Sequence, residues 1–222
     1  MKTDLKFFKN SKTLPVDIFL NNVLYDLKFG YYSSKQPFGL RGDFITSPKI
    51  SNLFSEMIAI WIVSSWELFG KPKNISIVEL GPGDGSLAKV LLNSFRKFPK
   101  FNSAKRFFLY EKSNYLKKKQ KKIFSQKKDV KWINNLNNIK KGPVIFFGNE
   151  FFDAIPIKQF KKINGNLQEK NYSINKYFRI KEVFKKANNS DKKIINSFKS
   201  LKKLNFVELP KFGLRELKTI TK

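Results

Sequence analysis

The stretch Ile75-Ser-Ile-Val-Glu-Leu-Gly-Pro-Gly-Asp-Gly-Ser86 decides the fold. Its first half, 75–80, is a mostly apolar run, which is typical of a strand buried on both faces of a parallel sheet. Glycines follow at three alternate positions, and helical spacing of apolar residues begins at Ser86. A strand, a glycine turn and a helix in this order predict the ligand-facing unit of an α/β sheet, because glycine permits a tight turn and a close backbone approach.

Strand and helix patterns alternate along the chain on both sides of this stretch. The predicted order indicates βαβ units and an α/β fold, in which helices flank a mostly parallel sheet and a helical cap precedes it. The second cap helix is apolar on much of its girth, so we expect it to be well buried. The predicted helices are 15–29, 47–69, 86–97, 114–125 and 191–203, and the predicted strands are 75–80, 106–110, 130–133, 144–148, a strand or hairpin at 172–180, and 206–209.

This pattern divides the chain into three expected segments. Residues 1–72 form the helical cap together with a loop that covers a ligand site. Residues 73–160 form the ligand-binding core. Residues 161–222 form a C-terminal extension, which we interpret as an incomplete substrate region.

Composition excludes several kinds of chemistry. The 222 residues include neither histidine nor cysteine, so a Ser-His-Asp triad, a thiol nucleophile and a His- or Cys-ligated metal are absent, and we expect no metal site. No apolar run reaches the roughly 18 residues of a membrane span. The lysine-rich start lacks the apolar stretch of a signal peptide. We therefore expect a cytoplasmic protein from a bacterium with an A+T-rich genome, with the mitochondrial matrix as the alternative.

The net charge of +28 raises the alternative of a nucleic-acid partner. Only five of the 45 basic residues are arginine, the residue that reads bases and clamps phosphates through its planar fork. An A+T-rich genome also produces many lysine, asparagine, isoleucine and phenylalanine codons. A solvated lysine-rich surface is therefore favoured over nucleic-acid binding, which remains open.

The glycine pattern differs from the dinucleotide motif G-x-G-x-x-G, because its third glycine would fall on Ser86. The turn instead has glycines at 81, 83 and 85 (Gly81, Gly83 and Gly85), with Glu79 at the end of the strand. A carboxylate there suits a cationic ligand, and Glu111 at the end of the next strand suits ribose hydroxyls. Together they favour S-adenosyl-L-methionine. The alternatives are an ordinary glycine turn and a solvent-facing glutamate.

A second polar cluster follows the strand at 144–148. Asn149, Glu150 and Asp153 lie within five residues, next to Phe151 and Phe152. Ligands of open parallel sheets lie beyond the carboxyl ends of the strands, and paired carboxylates bind a guanidinium in a bidentate manner. We predict that this cluster aligns an arginine for methyl transfer, a reaction that depends mainly on positioning and electrostatics. The structural alternative is a helix start capped by Asn149 or Asp153.

Three segments together resemble one protein family. Gly30-Tyr-Tyr32 with Gly42-Asp-Phe-Ile-Thr-Ser-Pro48, then Glu79-Leu-Gly-Pro-Gly83, then Asn149-Glu-Phe-Phe-Asp-Ala-Ile-Pro156 are similar to the family of the mitochondrial complex I assembly factor 7 and its bacterial MidA-type relatives. The resemblance covers about 13–160. It implies a Rossmann-like class I methyltransferase that uses S-adenosyl-L-methionine, and in the mitochondrial member it implies arginine dimethylation in a respiratory complex I subunit.

The same resemblance assigns site residues. It implies that Gly42, Asp43, Thr46 and Ser47 belong to a loop over the cofactor and that Asn149, Glu150 and Asp153 line the side of the methyl acceptor. The expected partner is a protein with a target arginine, and the sequence leaves the oligomeric state open. Two other functions stay open: a non-catalytic assembly or scaffold protein that keeps the fold, and a nucleic-acid methyltransferase.

Overall fold

The computed structural model describes residues 5–9, 11–34, 51–126, 129–140 and 142–221. The chain divides into two compact units, one formed by Tyr32–Phe151 and the other by Met1–Tyr31 together with Phe152–Lys222. This division differs from the three segments expected from the sequence. Its cause is the short strand Thr13–Pro15, which pairs antiparallel with residues 171–173 and so joins the start of the chain to its C-terminal part.

The unit Tyr32–Phe151 is built on a four-stranded parallel sheet in the order β4-β3-β2-β5. The central strand β2 is buried at all six positions, in agreement with its predicted apolar run. Its neighbours are parallel to it on both sides, as the alternation of strands and helices predicted. The strands are β2 Ile75–Leu80, β3 Lys105–Tyr110, β4 Val130–Ile133 and β5 Val144–Phe147, and the helices are α3 Tyr31–Ser34, α4 Asn52–Leu68, α5 Ser86–Phe95, α6 Pro99–Ala104 and α7 Asn114–Ile123, with a 3₁₀ turn at Leu136–Asn138.

An apolar cluster packs helices α4, α5 and α6 against the strands of this sheet. Phe95, Phe101 and Phe107 are fully buried in it, and Phe101 packs edge-on against Phe95 and Trp66. Burial of aromatic side chains contributes the largest apolar areas in a core. The cluster holds α4 and α5 against the strands, which fixes the carboxyl ends of β2 and β3 relative to each other.

The expectation that the second cap helix is buried around most of its girth was wrong. Helix α4 begins after Ser51, whose hydroxyl accepts a hydrogen bond from the Leu53 amide. One side of the helix is in the core, while the opposite side is open. Met57, Ile60 and Trp61 are more than half exposed. An apolar composition therefore does not imply burial here.

The unit Met1–Tyr31 with Phe152–Lys222 contains a five-stranded antiparallel sheet, which the sequence indicated only in part. The hairpin expected near 172–180 is present as β7 and β8, and the predicted strand at 206–209 has the predicted bounds. Fully buried Phe160 and Leu209 lie in a small separate core. The strands are β1 Thr13–Pro15, β6 Lys158–Ile163, β7 Asn166–Ile174, β8 Ile180–Lys186 and β9 Phe206–Leu209, and the helices are α1 Leu5–Phe8, α2 Val16–Tyr25, α8 Asn189–Ser197, α9 Lys199–Lys202 and α10 Lys211–Ile220.

Each helix within the described ranges is either too short or too polar to cross a lipid bilayer.

Candidate functional site

The glycine turn adopts backbone geometry that other residues rarely take. Gly81, Gly83 and Gly85 have φ angles of +63°, +56° and +85°, in the left-handed region that side chains with a Cβ disfavour. The Gly81 amide donates a hydrogen bond of 3.0 Å to the Tyr110 carbonyl at the end of β3. Gly85 is the residue that precedes helix α5. The turn is therefore fixed between the ends of two parallel strands and the start of a helix.

At two glycines of the turn, an added Cβ would also lie very close to an aromatic ring. A Cβ at Gly81 would lie 2.9 Å from the Phe151 ring, and a Cβ at Gly85 would lie 3.1 Å from the Phe124 ring. Asp84, between these glycines, accepts hydrogen bonds from the amide and the hydroxyl of Ser86 through its Oδ1. Two aromatic rings therefore pack against glycines of the turn, and the Asp84 side chain holds the end of the turn through Ser86.

Glu79 is the second-last residue of β2, two positions before Gly81, and is only 2% exposed. Its Oε2 atom is buried and accepts no hydrogen bond from the described residues. Burial raises the pKa of the Glu79 carboxyl to about 8, and the nearby Asp84 and Glu111 carboxylates add to the rise. A buried carboxyl with an unpaired oxygen costs free energy unless a donor or a cation reaches it.

Glu111 follows β3 and is 7% exposed. Its Oε1 accepts a hydrogen bond of 2.8 Å from the Ser113 amide, and its Oε2 lies 3.3 Å from the donating Nε2 of Gln120. Burial raises the pKa of the Glu111 carboxyl, and the hydrogen bonds from Ser113 and Gln120 oppose that rise. The carboxylate is therefore held in one orientation by donors from helix α7 and the loop before it.

Gln120 was not among the predicted site residues, although the stretch Glu111-Lys-Ser-x-x-Leu116 with Gln120 also resembles the same family. It is fully buried on α7. Its amide donates a hydrogen bond of 2.7 Å to the Gly83 carbonyl and accepts one of 2.8 Å from the Trp132 indole N–H. It therefore connects the glycine turn to Glu111. A polar residue on the apolar side of a lysine-rich helix was the signal that could have identified it.

The segment after β5 passes beside the glycine turn. Phe151 contacts Gly81 and packs edge-on against Tyr110 with ring centroids 6.2 Å apart. Asn149 and Glu150 directly precede Phe151 in the chain, so this contact brings them near the turn in space although they are distant from it in sequence. Glu150 is exposed and has a φ of +52°, a strained conformation of the kind that concentrates at functional sites. Asp153 is exposed and belongs to the other compact unit.

The alternative interpretation of this segment as a helix start is wrong, because no helix begins between Asn149 and Pro156, all of which the structure describes. The predicted residues Gly42, Asp43, Thr46 and Ser47 lie outside the described residues. Among the described residues, no three carboxylates lie together in a way that could hold a metal ion.

The site fits a ligand that carries both a cation and a ribose. Glu79 offers an unpaired, buried carboxyl oxygen for the cation, and Glu111 offers an oriented carboxylate for hydroxyl groups. Gly81, Gly83 and Gly85 carry no Cβ, so a ligand can approach the backbone of the turn closely at these positions. S-adenosyl-L-methionine has an ammonium group, a positively charged sulfur and a ribose, and these two carboxyl groups, as hydrogen-bond acceptors and negative charges, agree with that chemistry.

Comparisons with known proteins agree with this interpretation. The family model described as "Putative S-adenosyl-L-methionine-dependent methyltransferase" matches residues 57–221. The mitochondrial protein arginine methyltransferase NDUFAF7 homolog of Drosophila melanogaster is 33% identical over 70% of this chain and 40% of its own length. The human protein of that name is 30% identical over 70% of this chain and 41% of its own length.

A solved structure shows the same fold. A protein from Burkholderia thailandensis, crystallised with S-adenosyl-homocysteine, superposes with a TM-score of 0.78 at 21% identity and covers 99% of this chain and 57% of its own. The chain spans about two fifths of the length of the curated relatives that it matches. These findings confirm the resemblance predicted from the three sequence segments. This chain therefore belongs to the family of S-adenosyl-L-methionine-dependent methyltransferases that includes the NDUFAF7 proteins.

Proposed function

We propose that this protein binds S-adenosyl-L-methionine at the glycine turn and methylates an arginine side chain of a protein. The observation that carries the proposal is the pair of buried carboxyl groups, Glu79 and Glu111, on either side of Gly81–Gly85. Glu79 has an oxygen without a hydrogen-bond donor from the described residues. Two such groups at the ends of neighbouring parallel strands support a cofactor site rather than a scaffold surface.

Each residue has a role that follows from its geometry. Glu79 faces the cationic part of the cofactor, and a cation there lowers its raised pKa and stabilises the ionised form. Glu111, oriented by Ser113 and Gln120, accepts hydrogen bonds from the ribose. The glycine turn supplies the close backbone surface. S-adenosyl-L-methionine, when bound, supplies a methyl group on a positively charged sulfur.

Asn149, Glu150 and Asp153 are proposed to bind the acceptor. A guanidinium presents donors in a planar fork, which carboxylates accept in pairs. Glu150 and Asp153 are both exposed and so accessible to a protein substrate. Positioning and charge supply most of the acceleration for such a transfer, so the absence of histidine from the sequence is no obstacle.

Isothermal titration with S-adenosyl-L-methionine tests the cofactor site. Glu111→Gln keeps the size of the side chain but removes its charge, and we expect at least a tenfold weaker affinity. Glu208→Gln is the matched control, because Glu208 is an exposed residue of the other unit that accepts a hydrogen bond from the Gln159 amide, and this variant should bind the cofactor as the parent does. Absence of both heat and a thermal shift for the parent chain would contradict the proposal.

Transfer of a labelled methyl group to proteins of a cell lysate tests the acceptor. Acid hydrolysis should release labelled methylarginine, and nuclease treatment should leave the label in protein. Glu150→Gln should keep cofactor affinity and reduce transfer at least tenfold. Label released by nuclease would instead support a nucleic-acid methyltransferase, and cofactor binding without transfer to any protein would support a scaffold.

The location and the complex I substrate belong to the same proposal. The named relatives are mitochondrial, whereas the composition of this sequence favours the bacterial cytoplasm, and we propose the latter. Fractionation of source cells, followed by identification of the labelled protein, decides both questions. A labelled respiratory complex I subunit would extend the function implied by the resemblance to this protein.

A further inference from the structure

Helix α4 exposes an apolar face that the proposed function does not use. Its exposed apolar side chains are Leu53, Met57, Ile60, Trp61 and Leu68, which are 54% to 86% accessible. Ser64, which is also exposed, lies between them. We call these six residues the α4 face. Their apolar members leave on the order of 500 Å² of side chain in water, near the upper end of what monomeric proteins expose in one patch.

Charge distinguishes this helix from the rest of the molecule. The chain contains 45 basic residues, yet none occurs at positions 50–70. The charged residues of α4 are Glu56 and Glu67. Depletion of lysine, together with exposed tryptophan and methionine, is the composition found at the centre of protein interfaces. Because two copies with a net charge of +28 repel each other, this face is where two copies can approach with the least repulsion.

The spacing of the α4 face is the same from either end of the helix. Successive members are separated by four, three, one, three and four residues. When two such helices pack antiparallel about a two-fold axis, Leu53 faces Leu68 of the second copy, Met57 faces Ser64, and Ile60 faces Trp61. Every member then has a partner, and the large Met57 side chain faces the small Ser64. Self-complementarity of this kind is what an isologous dimer interface requires.

We propose that this protein forms a dimer in which the α4 faces of two copies pack antiparallel. A standard interface buries roughly 800 Å² on each partner, and the α4 face with the flanking Phe69, which is 58% exposed, supplies the greater part of that area. Lipid is the weaker candidate, because helices that lie on anionic membranes carry lysine or arginine beside the apolar face. Here the charged residues within α4 are glutamates, and Lys71, which follows the helix, is paired with Glu67 at 2.9 Å.

Sedimentation equilibrium of the full chain tests the dimer. The parent should approach twice its mass of 26.0 kDa as its concentration rises. Trp61→Glu and Ile60→Asp should each weaken the dimer at least tenfold while circular dichroism and cofactor affinity stay unchanged. Tyr177→Glu is the matched control, since Tyr177 is an aromatic residue that is 64% exposed and is not part of the α4 face, so its loss should leave the dimer intact. A single 26.0 kDa species at every concentration would overturn the proposal.

Disulfide trapping tests the antiparallel arrangement, because the sequence contains no cysteine. Met57→Cys and Ser64→Cys should cross-link when the two variants are mixed and oxidised, and neither should cross-link alone. Cross-linking of Met57→Cys with itself would indicate parallel helices and overturn the arrangement. Sedimentation with neutral phosphatidylcholine vesicles, if lost in Trp61→Glu, would assign the face to lipid and overturn the dimer.

Discussion

The Glu79 carboxyl is buried in the folded protein, whereas it is in water in the unfolded chain. Burial raises its pKa to about 8, so between about pH 4.5 and 8 the folded protein holds a proton that the unfolded chain has released. This proton stabilises the folded protein at low pH, and the stabilisation decreases as the pH rises through the pKa of the folded state. A bound cation reverses this preference by stabilising the ionised carboxylate.

A Glu79→Gln variant should therefore lose this pH dependence. Without cofactor, the free energy of unfolding of the parent should fall relative to the variant by up to about 1.4 kcal/mol per pH unit between pH 5 and 8. Urea unfolding at several pH values measures the difference. The variant should also bind S-adenosyl-L-methionine at least tenfold more weakly. Parallel pH profiles for the two proteins would show that Glu79 titrates normally in the folded state.

Gly81→Ala should damage both stability and cofactor binding. The new Cβ meets the Phe151 ring at 2.9 Å in a backbone with a φ of +63°, so we expect a loss of about 1–3 kcal/mol. Gly70→Ala is the control, because Gly70 has a φ of +80° but no atom within 4 Å of the added carbon. It should lose stability from backbone strain alone and keep cofactor affinity. Equal cofactor affinity in both variants would count against a ligand at the turn.

At the scale of elements, the parallel strands could be predicted because each is a short segment in which most residues are apolar. The strands β2 and β4 have the predicted bounds, and β5 is one residue shorter than predicted. The antiparallel strand β6 was missed, because lysines interrupt its apolar pattern. One signal could have located it. Asn164-Gly165, both at positive φ, joins β6 to β7 in a two-residue turn, and Asn-Gly is typical of a tight hairpin.

The sequence also could not predict which side of helix α4 is buried. The pattern of α4 is apolar on nearly every side, so periodicity could not show which side faces the core. Only the packing of Ile62 and Trp66 against the sheet decides that question. The role of Gln120 could not be predicted from its position on α7 either, since it depends on three partners that are distant in sequence.

The antiparallel sheet is stabilised by an ion-pair network that the sequence does not indicate. Lys158 on β6 lies 2.5 Å from the Glu169 carboxylate and 3.0 Å from that of Asp191, and the Asp191 side chain is fully buried. Lys211 binds the second oxygen of Asp191 at 2.6 Å. These contacts raise the pKa of the Lys158 ammonium against the opposing effect of burial. The network joins strands β6 and β7 to helices α8 and α10.

Lys158→Met should therefore be strongly destabilising. It leaves the Glu169 and Asp191 carboxylates buried with less compensating charge, which costs about 3–5 kcal/mol. Lys170→Met is the control, because the partner of Lys170 is the 56% exposed side chain of Glu182, and a pair of that kind contributes about 0–1 kcal/mol. Urea unfolding compares the two variants. Similar losses in the free energy of unfolding for both variants would show that the buried ion pairs stabilise the fold no more than an exposed pair does.

At the scale of the whole molecule, the basic charge is unevenly distributed. Residues 91–222 contain 34 basic and 9 acidic side chains, whereas residues 1–90 contain 11 and 8. Helix α7 alone carries five lysines in ten residues, and Lys118 and Lys122 lie one turn apart. Like charges at that spacing destabilise a helix, and a large net charge destabilises the compact state through self-repulsion. Repulsion between the basic residues therefore lowers the stability of the folded protein, and added salt weakens this repulsion.

Salt should stabilise this protein, and neutralising α7 should reduce the effect. We expect the melting temperature to rise between 10 mM and 500 mM NaCl, because screening lengths fall from about 30 Å to a few ångströms over that range. The triple variant Lys118→Gln, Lys121→Gln and Lys122→Gln removes three exposed charges from one helix. It should melt at a higher temperature than the parent in low salt and respond less to added salt. Addition of sucrose, which does not screen charge, should raise both melting temperatures equally. A parent whose melting temperature falls with salt would show instead that attractive ion pairs, such as those around Lys158, outweigh the repulsion between lysines.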